Sequence, residues 1–560
     1  MPRRLTAKTT LDSLKKQAKR WLKAVRAGDA AARDRLVRAY PAAPAEPGLR
    51  DVQHALAREH DLPGWAALSE ALADRALARL GLAEQAAIVL RHCWGGDAAA
   101  AGRLLRRQPG IARHGLHAAV ACGDLAEVRR HLAADPAGAG APGGPLDWAP
   151  LLYLAYSRLP GMADADAALA IAGTLLDHGA DPNARFDDGW GNPFTVLTGV
   201  IGAGEGSRPP HPAADALARL LIERGAEPYD TQALYNTSIV DDDPHWMDFL
   251  YRHSERRGDQ ARWNDPTARP ALGGKVPMGS IDYLLGNAVA FGHVRRAEWL
   301  LQHGGDANGV NAYQEHPHHV EAQLRGRSDI ADLLVRHGAV PVALDGQAAF
   351  QAACMRLDRA AARASAGRHP EYLADAAAMT AAIEAGWTDV AALLLELGSD
   401  ANLADREGVR PLNKAIRSDR MDIVRMLLAH GADIDYREPR FGGSALGWAV
   451  HFGRQEMIAL LAPRSRDVVE LVYAGLEQRL DAVLAGDPAL ANARGPNGGA
   501  TPLFHLPDDE EQAARIASLL LRRGADPTVR NDAGESAEDT ARRRGLDDAA
   551  RIIGAAARRR

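Results

Sequence analysis

One phrase recurs along the chain: an apolar pair or triplet, one to three mostly polar residues, then Gly-Ala-Asp or a near variant. It reads LLDHGADPNAR at 175–185, LLIERGAEP at 220–228, WLLQHGGDANG at 299–309 and LLVRHGAVP at 333–341. It returns as LLLELGSDANLAD at 393–405, MLLAHGADIDYR at 426–437 and LLLRRGADPTVRND at 519–532. The glycines fall at 179, 225, 304, 338, 398, 431 and 524, and the gaps from 304 to 338 and from 398 to 431 show a bare period of 34 and 33. A period of that size marks one supersecondary unit that cannot bury its apolar faces alone and must stack on neighbours.

The segment 405–436, DREGVRPLNKAIRSDRMDIVRMLLAHGADIDY, shows how one unit is built. Pro411 suits the first turn of an inner helix, where its missing N–H costs nothing. Leu412, Ala415 and Ile416 stand at i, i+3, i+4 and form one apolar stripe. Asp422 opens an outer helix, where a carboxylate complements the dipole. Ile423, Met426 and Leu427 form the second stripe. Gly431 follows the last turn as a left-handed cap, and Asp433 and Asp435 fit a turn into the next unit. The segments 115–132 and 498–529 repeat the scheme. This ordered Thr-Pro-Leu-His-x-Ala type of pattern resembles the ankyrin repeat family, over about residues 100–555 in roughly eleven units, several degenerate. The resemblance implies an all-α solenoid of stacked helix-turn-helix units. Similar helical leaders precede bacterial ankyrin arrays, and the heavy Arg, Ala, Gly and Asp usage resembles a high-GC bacterial coding bias. The expected organisation is a helical N-terminal cap over 1–80, a first repeat block over 81–228, a degenerate aromatic-rich unit with a long loop over 229–280, and a second block with a C-terminal cap over 281–560.

In the leader, Leu11, Leu14, Ala18, Trp21 and Val25 follow a 3-4-3-4 spacing and predict an amphipathic helix. Its other face carries Lys15, Lys16, Lys19, Arg20 and Lys23. Further helices are expected near 29–39, 50–60 and 64–78. This leader reads as a cap on the array; a basic helix of this kind is also suited to an anionic membrane or a nucleic acid.

The middle departs from the pattern. Residues 229–283 hold seven aromatics in 55 positions, Tyr229, Tyr235, Trp246, Phe249, Tyr251, Trp263 and Tyr283, where the whole chain is 5% aromatic. These rings either pack as a local core beside a long loop at 252–279 or project as a partner surface, since aromatics anchor interfaces. Tyr235, Trp246, Trp263, Tyr283, Tyr313 and His318 are the candidate partner-binding residues. The run Asp241–Asp243 is too contiguous for an alternating calcium loop. His316-Pro317-His318-His319 aligns with the Thr-Pro-Leu-His of the repeat. That puts His318 where Leu is usual and Glu321 where Ala is usual. His117 and His505, in the repeat's histidine neighbourhood, read as satisfying backbone groups.

Chemistry is sparse. Cys93, Cys122 and Cys354 lie far apart in no metal-ligand spacing, which fits idle thiols in a reducing cytoplasm. There is no GxSxG, HExxH or P-loop, and the glycines at 202–206 lie in a connection with no strand before it. No cofactor or metal is expected, and no run of about 18 apolar residues suggests a membrane span. The net charge is −5, but residues 1–26 hold nine basic residues and one acid, so the remaining chain carries 58 basic and 71 acidic residues, net −13. A body of that sign favours a partner protein with basic patches and disfavours nucleic acid in the groove, because phosphate contacts need Lys and Arg. The expected function is a non-enzymatic, monomeric scaffold binding another protein through the concave face of the array. Two alternatives stand beside it: a small-ligand sensor or enzyme using the aromatic middle, and a peripheral membrane or nucleic-acid contact by the basic helix.

Overall fold

The computed structural model describes residues 5, 9–189, 193–204, 208–268, 277–312, 316–495 and 498–559. Among these the regular structure is helical apart from one short antiparallel hairpin, Arg185–Asp187 with Pro193–Thr195, and isolated bridges. It divides into two compact units, Met1–His318 with Asp332–Ala339, and His319–Ala331 with Val340–Arg560.

The first unit opens with the helices Leu11–Arg26, Ala30–Ala39, Leu49–Glu59 and Trp65–Leu77. Leu14, Ala18, Trp21, Leu36, Val52, Leu56 and Leu68 form their common core. The Trp21 indole donates to the Ala32 carbonyl at 2.9 Å, and Arg35 lies over the Trp21 ring at 3.6 Å while pairing with Glu59 at 2.6 Å. Lys15, Lys16, Arg20, Lys23 and Arg26 face solvent, and Lys19 is half-buried.

Helix pairs follow. In the second unit, the inner helix Pro411–Arg417 and the outer helix Met421–Ala429 bury Leu412, Ala415, Ile416, Ile423 and Leu427, and leave Met426 half-buried. Asp422 lies in the first turn of the outer helix, one residue inside its start. Each fully buried Leu or Ile contributes about 1.5–3 kcal/mol, and the stripes are buried only because adjacent pairs cover them. The core of this unit is therefore one continuous strip running from Phe350 to Ile553. It ends on the helices Ala537–Arg543 and Asp547–Ala557, the latter packed on Glu510–Arg522. In one repeat the inner helix shrinks to the short turn Pro502–Phe504, since Pro507 bars a longer one.

The recurring glycines act as their pattern predicts. All seven have φ between +81° and +101°. At Gly431 the chain reverses so that the Ala432 N–H donates to the Leu427 carbonyl at 3.0 Å. The same bond recurs from 180 to 175, 226 to 221, 305 to 300, 339 to 334, 399 to 394 and 525 to 520. This is the Schellman closure, and it satisfies carbonyls that the helix end would leave open.

A second recurring device lies just beyond. Asn402 donates through Nδ2 to the Gly431 carbonyl at 3.0 Å and accepts the Asp433 N–H at 2.7 Å. Asn183 does the same with Gly225 and Glu227, and Asn492 with Gly524 and Asp526. Asn308 donates to the Gly338 carbonyl at 3.1 Å. Each amide ties one repeat's turn to the next.

Candidate partner-binding surface

The aromatic middle is largely interior. The outer helix His245–Arg257 runs into the stretch expected as loop and stops at Gly258, with short turns at Gln260–Asn264 and Pro266–Ala268 behind it. Trp263 is fully buried; its indole donates to Ser254 Oγ at 3.0 Å, and its ring packs against Tyr229, Tyr251 and Trp299. Tyr283 is buried as well, and so is Tyr229, whose hydroxyl bonds Ser280 Oγ at 2.7 Å. Rings this deep are core, and a partner cannot reach them without opening the fold. Tyr235 and Trp246 are half-buried, on the inner helix Thr231–Ser238 and at the start of the outer helix. Trp246 packs against His245 and Phe249, so it does not share surroundings with Trp263. Tyr313 lies outside the described residues.

The acidic run has a structural job in each position. Asp241 accepts the Asp243 N–H. Asp242 accepts the N–H groups of Arg295 and Arg296 at 3.1 and 3.0 Å, capping the helix Val294–Gln302 from the neighbouring repeat. The Asp243 carbonyl accepts from buried Arg296 at 2.8 Å, and burial pulls that guanidinium down to about 10.

His318 is wholly buried, and neither ring nitrogen has a partner among the described residues. It fits a leucine position because glycine stands opposite: a methyl at Gly309 would come within 3.1 Å of its Nε2. Burial holds its pKa down to about 4. His319 fills the repeat's histidine role, with Nδ1 accepting the Val342 N–H at 3.2 Å and facing Gln323 Nε2 at 3.0 Å. Glu321, also buried, pairs with Arg325 at 2.5 Å. In the first unit His117 Nε2 donates to the Ala141 carbonyl at 3.1 Å.

Sequence reasoning passed over a different aromatic cluster in the first unit. Phe186 and Phe194 face each other across the hairpin, their rings stacked 5.5 Å apart. Trp148 stacks on Phe186 at 4.3 Å, and Tyr156 and Trp94 close on the same rings edge-on. Arg208 lies over Trp94 at 5.4 Å and Tyr156 at 5.6 Å and donates to the Cys93 carbonyl. Trp94 is 36% exposed, and Phe186 and Phe194 are half-buried. The signal was available: aromatic residues occupy turns where the other repeats carry small or polar ones.

Beside this cluster the turn Gly143–Trp148 and the loop 181–186 of the next repeat flank an open groove of about 750 Å³. Tyr153 locks the turn by donating to the Gly143 carbonyl at 2.9 Å and accepting the Leu146 N–H at 3.2 Å. A second hollow of about 430 Å³ opens on the other side of Arg185. There Asp230 accepts hydroxyl hydrogens from Thr195 and Thr198, and Glu227 pairs with Arg262 at 3.0 Å.

None of the thiols is activated. Burial pushes Cys93, Cys122 and Cys354 each up to about 12, so none forms the thiolate a nucleophile needs. No cluster of three or more His, Cys, Asp and Glu side chains suited to a metal occurs among the described residues.

Comparison with known proteins meets this architecture directly. Residues 366–438 match the family model for ankyrin repeats in three copies. This segment is a run of ankyrin repeats. The chain is 30% identical over 168 residues to the B-cell lymphoma 3 protein homolog of Mus musculus, covering 28% of this chain and 37% of that one. It is 28% identical over 155 residues to the mouse cyclin-dependent kinase 4 inhibitor B, covering 28% of this chain and 98% of the relative. It is 27% identical to the putative ankyrin repeat protein YahD of Escherichia coli, over 29% of this chain and 71% of that protein. Thus the chain spans about a third of the B-cell lymphoma 3 homolog's length. Among solved structures, a chain from the complex of a Bdellovibrio bacteriovorus predatory endopeptidase with its immunity protein aligns at 22% identity and a TM-score of 0.24. It covers 32% of this chain and 96% of that chain, too weak a likeness to support a conclusion.

Proposed function

We propose that this protein is a non-enzymatic scaffold that binds another protein through its inner helices and the turns that project beside them. The observation that carries this reading is the hairpin cluster, where Trp94, Phe186 and Phe194 stay partly open to solvent. Aromatic anchors beside a groove are what an interface needs, and the repeat stack supplies rigid support for them. The kinase-inhibitor relative, matched over 98% of its length, is named for acting on another protein. Inert thiols fit a reducing compartment such as the cytoplasm.

The test is affinity capture from lysate of the source cells with quantitative mass spectrometry. It compares intact protein with Phe186→Ala and with the Tyr235→Ala, Trp246→Ala pair, all checked for unchanged helicity. A protein retained by the intact chain and lost with Phe186→Ala supports the reading and locates the surface at the hairpin. Loss only with the pair moves the surface to the middle. Retention of no protein at all would overturn it. Trp263→Ala is unsuitable, since emptying that core position costs about 3–5 kcal/mol.

The exposed basic face of Leu11–Arg26 supports a second, weaker reading, contact with an anionic surface. Binding to vesicles rich in phosphatidylserine that survives 0.5 M salt would count against it, because such attraction is screened.

A further inference from the structure

The groove beside the hairpin has a definite chemistry. Half-buried Phe186 lines it, with buried Trp148 stacked behind that ring at 25° between their planes, and its rim carries Asp147 on one turn and Asp181 on the next repeat's loop. Both carboxylates are exposed, and neither forms an ion pair among the described residues. Asp147 holds φ +53° in a turn closed at both ends by the paired Gly143 and Trp148 backbones. The turn therefore fixes the backbone from which this exposed carboxylate extends. Among the described residues, Arg185 is the one basic group lining the groove.

Aromatic wall and acidic rim together suit a planar cation better than any other side chain. A guanidinium can lay its face on a ring and turn its N–H fork to carboxylates, which an ammonium does less well. The molecule already uses this pairing: Arg208 on Trp94 in the same cluster, Arg35 on Trp21 at 3.6 Å, and Arg410 on Tyr436 at 3.6 Å with Asp433 beside it. We propose that the groove between Gly143–Trp148 and Asp181–Phe186 receives an arginine side chain from a basic segment of a partner protein. The proposal rests on the protein-binding reading above and names the chemistry of the partner at that surface. The net charge of −13 outside the leader draws such a segment in, and Asp147 and Asp181 hold it.

The test uses full-length protein on an array of random dodecapeptides, with each arginine-bearing hit reprinted with citrulline and with lysine in place of arginine. Citrulline keeps the shape and removes the charge. Hits on the intact protein should be enriched in arginine and weaken about tenfold with citrulline, the loss of one charge-assisted contact. The Asp147→Asn, Asp181→Asn double variant should weaken them similarly. Arg185→Ala, which removes a like charge, should hold or raise the signal. These surface changes leave the fold intact, which circular dichroism and melting check. Hits that ignore the double variant, or that are enriched in acidic residues, overturn the groove proposal while leaving a protein-binding surface elsewhere. An array with no arginine-dependent hit overturns the groove proposal as well. The capture experiment separates these cases, since a partner retained through the hairpin sustains the broader reading whatever the array shows.

Discussion

His318 offers a quantitative check on the repeat as a packing scheme. The position belongs to leucine by pattern, and the imidazole there is fully buried with both nitrogens unpartnered among the described residues. One nitrogen carries a hydrogen with no acceptor and the other is an acceptor with no donor, a cost of about 1–3 kcal/mol. Leucine fills a similar volume and leaves nothing unsatisfied, so His318→Leu should stabilise by about that amount at pH 7.5. The acid limb adds a second, signed effect. The folded pKa is about 4 against the ordinary 6.5, so the unfolded chain binds the extra proton. Stability from this group is complete above pH 6.5 and is lost as the pH falls from 6.5 toward 4, reaching about 3 kcal/mol at one pKa unit per 1.36 kcal/mol. The gap between variant and wild type should therefore widen by about 2–3 kcal/mol from pH 7.5 to 4.5. Because repeat arrays open unit by unit, the readout is hydrogen-exchange protection of the helix Ser280–Phe291, corrected for intrinsic exchange at each pH. A gap that is independent of pH, or a leucine variant less protected at pH 7.5, would refute the reasoning.

Other outcomes follow from the same geometry. Asn402→Ala removes the two hydrogen bonds to Gly431 and Asp433 and should cost about 1–2 kcal/mol, seen as faster exchange of the Asp433 amide. Gly431→Ala and Gly123→Ala compare glycines of similar φ, +81° and +76°, in different surroundings. A Cβ meets nothing within 4 Å at Gly431 but lies 2.5 Å from the Gly161 carbonyl oxygen at Gly123. The first should cost about 1–2 kcal/mol of backbone strain and the second about 1–3 kcal/mol more, read from urea midpoints. Arg296→Ala empties a buried site and leaves the Asp243 carbonyl without its donor, and should lower stability by about 2–4 kcal/mol in thermal melts. Arg296→Lys should not restore it, lacking the guanidinium fork.

The sequence alone determined the repeat, its inner and outer stripes and its left-handed glycine caps, because these follow from spacing within one unit of about 33 residues. Leu412, Ala415, Ile416 and Gly431 need only their near neighbours in sequence to have meaning. It also carried the asparagine clamp at 183, 308 and 402 in Asp-x-Asn turns, although the partner of Asn402 is 29 residues away and becomes visible only when repeats are stacked. The fate of the aromatics belonged to tertiary structure. Trp263 and Phe186 look alike in composition, yet one is sealed by Tyr229, Tyr251 and Trp299 while the other stays half-open beside a groove. Periodicity tells which face of a helix is buried, but an insertion breaks the period. Beyond that break, which surface covers which is decided by the packing of whole repeats, and with it which rings a partner can reach.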